Sequence, residues 1–135
     1  MTVTYMLDTD ICSYILREHP VGLKKVFRKY CAEAPVCISA ITYAELLAGA
    51  AEKGSKHLEE KIAAFTSLLK IIAWTDSCAR KYSIIKVGLK KAGTPIGNMD
   101  MMIAAAALAA GATLVTNNER HFRKIDGLDV INWLK

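Results

Sequence analysis

The sequence lacks the segments that direct a chain into or across a membrane. Its first ten residues contain no basic segment followed by a long apolar run, so we predict no secretory signal peptide. The longest uncharged run covers residues 101–118, but it contains Gly111 and ends in polar residues. A membrane span needs about 20 mostly apolar residues. We therefore interpret this run as a buried helix followed by a buried strand.

The sequence also lacks the spacings that cysteine-based sites require. No two cysteines are arranged as C-x-x-C, and no histidine completes a zinc-binding pattern. The cysteines are Cys12, Cys31, Cys37 and Cys78. Two of them, Cys12 and Cys37, lie in apolar segments, where cysteine behaves as a small hydrophobic residue. We expect reduced thiols in a cytoplasmic protein rather than a disulfide framework.

The composition is that of a globular protein with a basic surface. The chain has 135 residues, of which 53% are hydrophobic, and we find no internal repeat or linker. This length suits one domain with a real core, and we predict a single domain over residues 1–135. The net charge of +5 is compatible with a solvated basic surface or with an anionic partner such as nucleic acid.

Short apolar runs alternate with helical patterns along the whole chain. We predict strands over residues 3–7, 36–38, 70–74, 113–115 and 129–131. We predict helices over about 11–16, 20–30, 40–50, 56–69, 76–91 and 98–110, with a helical turn over 117–122. The predicted caps of the first, third and sixth helices are Asp10, Ser39 and Asn98. This alternation indicates a three-layer α/β/α domain with a central, mostly parallel sheet of four to five strands.

Three acidic residues lie where predicted strands and helices meet. Asp8 follows the first strand, Glu45 lies in the helix after the second strand, and Asp100 lies in the helix before the fourth. Ligands of open parallel sheets bind outside the carboxyl ends of the strands, so these side chains can reach one edge of the sheet. Each also has a structural interpretation, because Asp8 and Asp10 suit turns and N-caps and Asp100 suits the helix macrodipole.

Glu45 is the hardest of these residues to explain structurally. It lies in an apolar stretch, and no Lys or Arg lies between Lys29 and Lys53 to pair with it locally. A buried carboxylate needs a partner, so we expect a basic side chain from elsewhere or a metal ion. Converging carboxylates repel one another unless a divalent cation lies among them, and oxygen ligands favour Mg²⁺ or Mn²⁺. Such a site can activate water against a phosphodiester.

The segment LVTNNERHF, residues 114–122, places further polar groups at the end of the fourth strand. We predict that Thr116 and Asn118 line the acidic pocket, with Thr116 as a candidate supporting residue. Glu119 fits a surface or capping group better, because a shift of one residue in a turn changes the direction of the side chain. His121 is better interpreted as a turn residue than as a catalytic acid or base.

Three blocks of sequence occur in order across nearly the whole chain: YMLDTDICSYIL, CISAITYAELLAGA and GTPIGNMDMMIAAAALAAGATLVTNNERHFRKIDGLDVINW. They resemble the PIN-domain ribonucleases, in particular the VapC toxins of bacterial toxin–antitoxin pairs. The third block is highly specific, whereas short D-T-x motifs such as the one in the first block are common. The resemblance implies a metal-dependent endoribonuclease that cleaves cellular RNA, with transfer RNA among the candidates, and is neutralised by a VapB-type antitoxin.

The resemblance also implies roles for individual residues. The acidic quartet of the family corresponds to Asp8, Glu45, Asp100 and Asn118, with Asp8 and Asp100 as ligands of Mg²⁺ or Mn²⁺. The implied products have a 3′-hydroxyl and a 5′-phosphate. Two positions depart from the family pattern, since many relatives have aspartate at Asn118 and asparagine at Asp10. Asn118 brings no charge, and Asp10 either adds a carboxylate to the pocket or caps a helix.

Two surfaces are candidates for macromolecular partners. The basic residues after the fourth strand and the loop over 90–97 lie nearest the pocket in sequence, so they are the better candidates for RNA phosphates. The first two helices have more apolar residues than one buried face needs, which indicates either core or a groove for an antitoxin helix. Family members usually form homodimers, and the resemblance implies a larger assembly with the antitoxin.

Two alternatives remain open on the sequence alone. A catalytically weakened module that only binds RNA or antitoxin is compatible with Asn118. A phosphatase of the haloacid dehalogenase class is suggested by Asp8-Thr9-Asp10, but the chain has no later D-D pair and is short for that class.

Overall fold

The computed structural model describes residues 2–135. They contain a sheet of five parallel strands in the order β3-β2-β1-β4-β5, with helices on both faces. The strands are β1 (Tyr5–Leu7), β2 (Val36–Ser39), β3 (Lys70–Ile72), β4 (Thr113–Val115) and β5 (Val130–Ile131). β1 is central, and the chain adds β2 and β3 on one side of it before crossing to β4 on the other. The predicted fold class is confirmed, with a fully parallel sheet.

Helices connect the strands and cover both faces of the sheet. Within the described residues they are α1 (Thr9–Arg17), α2 (Leu23–Glu33), α3 (Ala40–Lys53), α4 (Lys56–Thr66), α5 (Asp76–Lys91), α6 (Asn98–Ala110) and α7 (Glu119–Phe122). The predicted cap of α3 is confirmed, because the Ser39 hydroxyl accepts the Thr42 amide at 3.1 Å.

Alternation along the strands divides the core into two clusters, one on each face of the sheet. Met6 and Leu114 are buried with residues of α5 and α6, whereas their neighbours Leu7 and Val115 are buried with residues of α1 to α4. Successive side chains of a strand point to opposite faces. Each strand of the sheet centre therefore contributes to both clusters, which fixes its register.

Several predicted boundaries are wrong, each for a local reason. The helix predicted over 20–30 begins at Leu23, because Gly22 adopts a φ of 94° that favours glycine and holds the chain in a turn. It continues to Glu33 and stops before Pro35. The helix predicted to residue 69 ends at Thr66, whose hydroxyl donates to the Ile62 carbonyl oxygen at 3.0 Å.

The cysteines are free thiols, as predicted. Burial raises the pKa of Cys12 well above its usual value and that of Cys37 to about 11. These thiols therefore stay protonated and unreactive at neutral pH. No helix between residues 2 and 135 has both the length and the apolar composition of a membrane crossing.

Candidate active site

The strand order reverses beside β1, where the chain crosses from β3 to β4. In a parallel sheet the place where strand order reverses is where ligands bind, outside the carboxyl ends of the strands. β1 and β4 pair directly, with Leu7 opposite Val115. Asp8 and Thr116, the next residues along the two strands, therefore lie side by side at this edge, and the Asp8 amide donates to the Val115 carbonyl at 3.0 Å.

Asp8 links this edge to the start of α1. Its side chain is 3% exposed, and its Oδ1 accepts the Ile11 amide at 2.9 Å, which makes Asp8 the N-cap of the helix. The prediction that Asp10 caps α1 is wrong, because Asp10 lies inside the first turn and is exposed. The structural interpretation of Asp8 as a cap is thus confirmed, and the cap uses only one of its two carboxylate oxygens.

The Asp8 carboxyl is difficult to ionise. Its pKa is raised from 3.8 to about 7, by burial first and then by the nearby charges of Asp10 and Asp100, against the opposing effect of the Thr116 hydroxyl and the Ile11 amide. A carboxylate in this position needs a cation to be stable in its ionised form at neutral pH.

Asp100 faces the same pocket from α6. It lies in the first turn of the helix and is half-buried, and its pKa is raised by burial first and then by the charges of Asp10 and Glu45, whereas His121 lowers it. The predicted cap of this helix is wrong, because Gly97 occupies the cap position and Asn98 Oδ1 accepts the Tyr82 hydroxyl at 3.2 Å.

Glu45 is half-buried, not fully buried as the sequence suggested. The Thr9 hydroxyl donates to Glu45 Oε1 at 2.6 Å. No Lys or Arg of residues 2–135 forms an ion pair with it. Thr9 was missed in the sequence, where the only signal was its place in the D-T-D motif, 36 residues before Glu45.

The residues after β4 complete the rim of the pocket. Thr116 is fully buried, and its Oγ1 accepts the Asn118 amide at 2.9 Å. The Asn118 Nδ2 lies 2.8 Å from Nδ1 of His121. His121 therefore belongs to the pocket surroundings, since it contacts Asn118 and its charge acts on Asp100.

Glu119 is directed away from the pocket. Its carboxylate contacts Asn132 at 2.8 Å, Arg123 at 2.9 Å and Lys135 at 3.1 Å. These partners lower its pKa to about 2, with Arg123 contributing most. The residue therefore anchors the segment after β5 to α7, a contact that spans 13 residues to Asn132 and was not predicted from the sequence.

The acidic groups share one electrostatic environment without forming a ready-made cage. The charges of Asp10 and Asp100 act on Asp8, and the charges of Asp10 and Glu45 act on Asp100. Across residues 2–135, no three His, Cys, Asp or Glu side chains are close enough to hold a metal ion among them. Two carboxylates completed by water are compatible with this arrangement, and their oxygen-only chemistry fits a hard divalent cation.

Comparison with known proteins gives the family. The family model for the PIN domain matches residues 5–128. The chain belongs to the PIN-domain family. Within it, the chain belongs with the VapC ribonucleases: it is 37% identical to ribonuclease VapC2 of Rickettsia felis over 97% of this chain and 98% of that protein. It is 33% identical to the tRNA(fMet)-specific endonuclease VapC of Shigella flexneri, over 96% and 97% of the two chains.

Solved VapC structures share this PIN fold. The crystal structure of VapBC2 from Rickettsia felis bound to a DNA fragment from their promoter matches with a TM-score of 0.89 and 36% identity, over 97% of this chain and 99% of that one. VapBC-1 from nontypeable Haemophilus influenzae matches with a TM-score of 0.84 and 33% identity, over 98% and 100% of the two chains. The predicted resemblance is confirmed, and the phosphatase alternative has no support.

Proposed function

We propose that the chain is a Mg²⁺- or Mn²⁺-dependent endoribonuclease toxin that cleaves cellular RNA. The observation that supports this most is the acidic pocket at the switch between β1 and β4, where burial and mutual repulsion raise the pKa values of Asp8 and Asp100. A divalent cation would stabilise the ionised forms of these carboxylates and could bind a phosphate group at the same time. Membership of the VapC ribonucleases agrees with the proposal.

Asp8 and Asp100 are the residues that would hold the ion. When bound, the ion would supply positive charge for the scissile phosphate and lower the pKa of a water molecule. The Asn118 amide has no charge, so it cannot supply the negative charge that either carboxylate brings to the ion. The exposed Asp10 acts by its charge on both Asp8 and Asp100, so it adds to the attraction for a cation.

Glu45 is suited to receive a proton from the attacking water. Its Oε1 accepts the Thr9 hydroxyl, so Oε2 remains available to accept another proton. A general base must lie within hydrogen-bond reach of the proton it removes. We assign Glu45 this role, with products that have a 3′-hydroxyl and a 5′-phosphate.

The RNA backbone would contact basic residues next to the pocket. Arg120 is exposed and directly follows Glu119 in α7, whereas Arg123 is engaged by Glu119 at 2.9 Å. Arg120 is therefore the better candidate of the two for a phosphate contact. Relatives at 33–35% identity are named tRNA(fMet)-specific endonucleases, and we propose a transfer RNA as the substrate of this chain.

Cleavage of RNA tests the proposal directly. We expect the purified chain to fragment total cellular RNA with Mn²⁺, and to lose this activity in excess EDTA. Asp8→Asn and Asp100→Asn should be inactive yet folded, whereas Asp126→Asn, an exposed control, should cleave normally. End-mapping then identifies the RNA. Unchanged cleavage in EDTA, or full activity of either pocket variant, would contradict the proposal.

We further propose that a VapB-type antitoxin binds the face formed by α1, α2 and α4, and that the toxin is a homodimer in a larger assembly with it. A groove on this face has an apolar floor that includes Ile15, Phe27 and Phe65. Lys24, Arg28 and Lys61 also line it. This combination suits an amphipathic helix with acidic residues. The similar solved structures are VapBC complexes, which agrees with an antitoxin partner.

We also propose a cytoplasmic location, which agrees with the free thiols of the four cysteines.

Co-purification tests the partner. The chain should retain the product of an adjacent short open reading frame on an affinity column. Leu68→Asp, at the groove, should abolish retention, whereas Ile84→Asp should not, because α5 lies on the other face of the sheet. Equal retention by both variants would contradict a groove on this face.

A further inference from the structure

A chain of hydroxyl groups connects the caps of two helices to Glu45. Thr9 is the first residue of α1, and its Oγ1 lies 2.6 Å from Glu45 Oε1 and 3.2 Å from Thr42 Oγ1. Ser39 Oγ lies 3.4 Å from Thr42 Oγ1 and accepts the Thr42 amide. Ser39 and Thr42 are fully buried, so these groups bond to one another instead of to water.

The direction of the hydrogen bonds follows from counting protons. Thr9 has one hydroxyl proton and two neighbouring oxygens, and the carboxylate can only accept. The shorter distance, 2.6 Å to Glu45, is typical of an O–H···O⁻ bond. The proton therefore goes to Glu45, and Thr42 can donate to Thr9 and accept from Ser39. The hydroxyl protons of Ser39, Thr42 and Thr9 therefore all point towards the Glu45 carboxylate.

Helix caps fix the positions of both ends of this series of hydroxyl groups. Asp8 caps α1 and so fixes the backbone at Thr9, and Ser39 caps α3 and so fixes the turn that precedes Glu45. Neighbouring hydroxyl bonds polarise one another in the same direction, which strengthens the last bond. The Thr9–Glu45 bond is thus a fixed link between α1 and α3, made beside the buried Asp8.

We propose that Thr9 is a positioning residue, whose hydroxyl holds Glu45 in the orientation that lets its free oxygen accept the proton of the attacking water. This inference rests on the proposed function of Glu45. Without the hydroxyl, the carboxylate would rotate among several side-chain conformers, and only a fraction of them would face the pocket.

Kinetics of three variants test the role. Thr9→Val keeps the shape and removes the hydroxyl, and Thr9→Ser keeps the hydroxyl. We expect Thr9→Val to lower kcat by about tenfold to a hundredfold, the loss typical of one hydrogen bond to a charged group, with KM unchanged. Thr9→Ser should restore most of kcat. Thr66→Val is the matched control, because the Thr66 hydroxyl bonds only to carbonyls of its own helix.

Some kinetic results would overturn the proposal. These are a normal kcat for Thr9→Val, an equal loss in Thr9→Ser, or the same loss in Thr66→Val. A loss that falls on KM alone would also overturn it, since it would assign Thr9 to RNA binding.

Urea unfolding gives a second readout that does not need activity. We expect Thr9→Val to lower the midpoint in the wild-type background and to have little further effect when Glu45→Ala has already removed the acceptor. Additive effects would show that the two side chains are not coupled and would overturn the proposal. If the wild-type chain cleaves no RNA, the proposed function fails, and the urea cycle still decides whether the link exists.

Discussion

Replacing Asp8 with asparagine should stabilise the fold while removing the activity. Asparagine is as good an N-cap as aspartate, so the bond from the Ile11 amide is retained. What the substitution removes is the cost of ionising a buried carboxyl group, whose pKa rises from 3.8 to about 7 on folding. Each unit of pKa difference corresponds to about 1.4 kcal/mol, so the full cost is at most about 4 kcal/mol.

The sign of the effect determines its pH dependence. Unfolded Asp8 ionises near its ordinary value of 3.8, whereas folded Asp8 ionises near 7. Ionisation therefore stabilises the unfolded chain relative to the folded one as pH rises through this window. Below pH 4 the wild type and Asp8→Asn should differ little. The variant should gain relative stability up to about pH 7, above which the difference is constant.

Urea unfolding in EDTA between pH 5 and pH 8 measures this difference. The free energy of unfolding of Asp8→Asn should exceed that of the wild type by an amount that increases with pH, by about 2 to 3 kcal/mol over the range. Asp126→Asn, on the exposed loop, should show no such trend. A gap that is independent of pH, or a variant less stable than the wild type at pH 8, would refute the electrostatic argument.

Three further predictions concern the pocket and its surroundings. Millimolar Mg²⁺ should raise the Tm of the wild type at pH 8 but have much less effect on Asp8→Asn or Asp100→Asn, and equal shifts in all three would contradict a shared ion site. Glu119→Gln should lower the Tm at neutral pH, because the wild-type carboxylate has a pKa lowered to about 2. The difference in Tm should shrink as the pH falls from 4.5, the ordinary glutamate pKa, to about 2. A difference that stays constant over this range would argue against the ionic contacts. Because the Asn118 amide nitrogen faces Nδ1 of His121, nitrogen NMR should find neutral His121 protonated on Nε2, and a proton on Nδ1 would reverse the assignment.

The sheet and the position of the acidic residues could be predicted because they depend on local patterns. Apolar runs bounded by turn residues located all five strands, and Asp8 and Asp100 were recognised because they adjoin strand or helix ends. The helix caps are harder to predict from sequence. The caps of α1 and α6 are Asp8 and Gly97, not Asp10 and Asn98, and only the backbone geometry distinguishes residues one or two positions apart.

The contacts between distant side chains could not be predicted. The bond from Thr9 to Glu45 joins residues 36 apart, and the anchor from Glu119 to Asn132 depends on where the segment after β5 packs. Glu45 was expected to require a cation because its neighbours in sequence are apolar. In the fold a hydroxyl reaches it from another helix, and the residue is only half-buried.

The cap that Asp8 makes, together with its proposed role in the acidic pocket, restricts which amino acids evolution can place at this position. Glutamate would keep the charge, but its longer side chain cannot cap the helix in the same way. Serine or asparagine would preserve the cap and discard the charge. Aspartate alone satisfies both demands. Substitution by asparagine is therefore expected to give a more stable protein without activity. Substitution by glutamate is expected to keep the negative charge and weaken the N-terminus of α1.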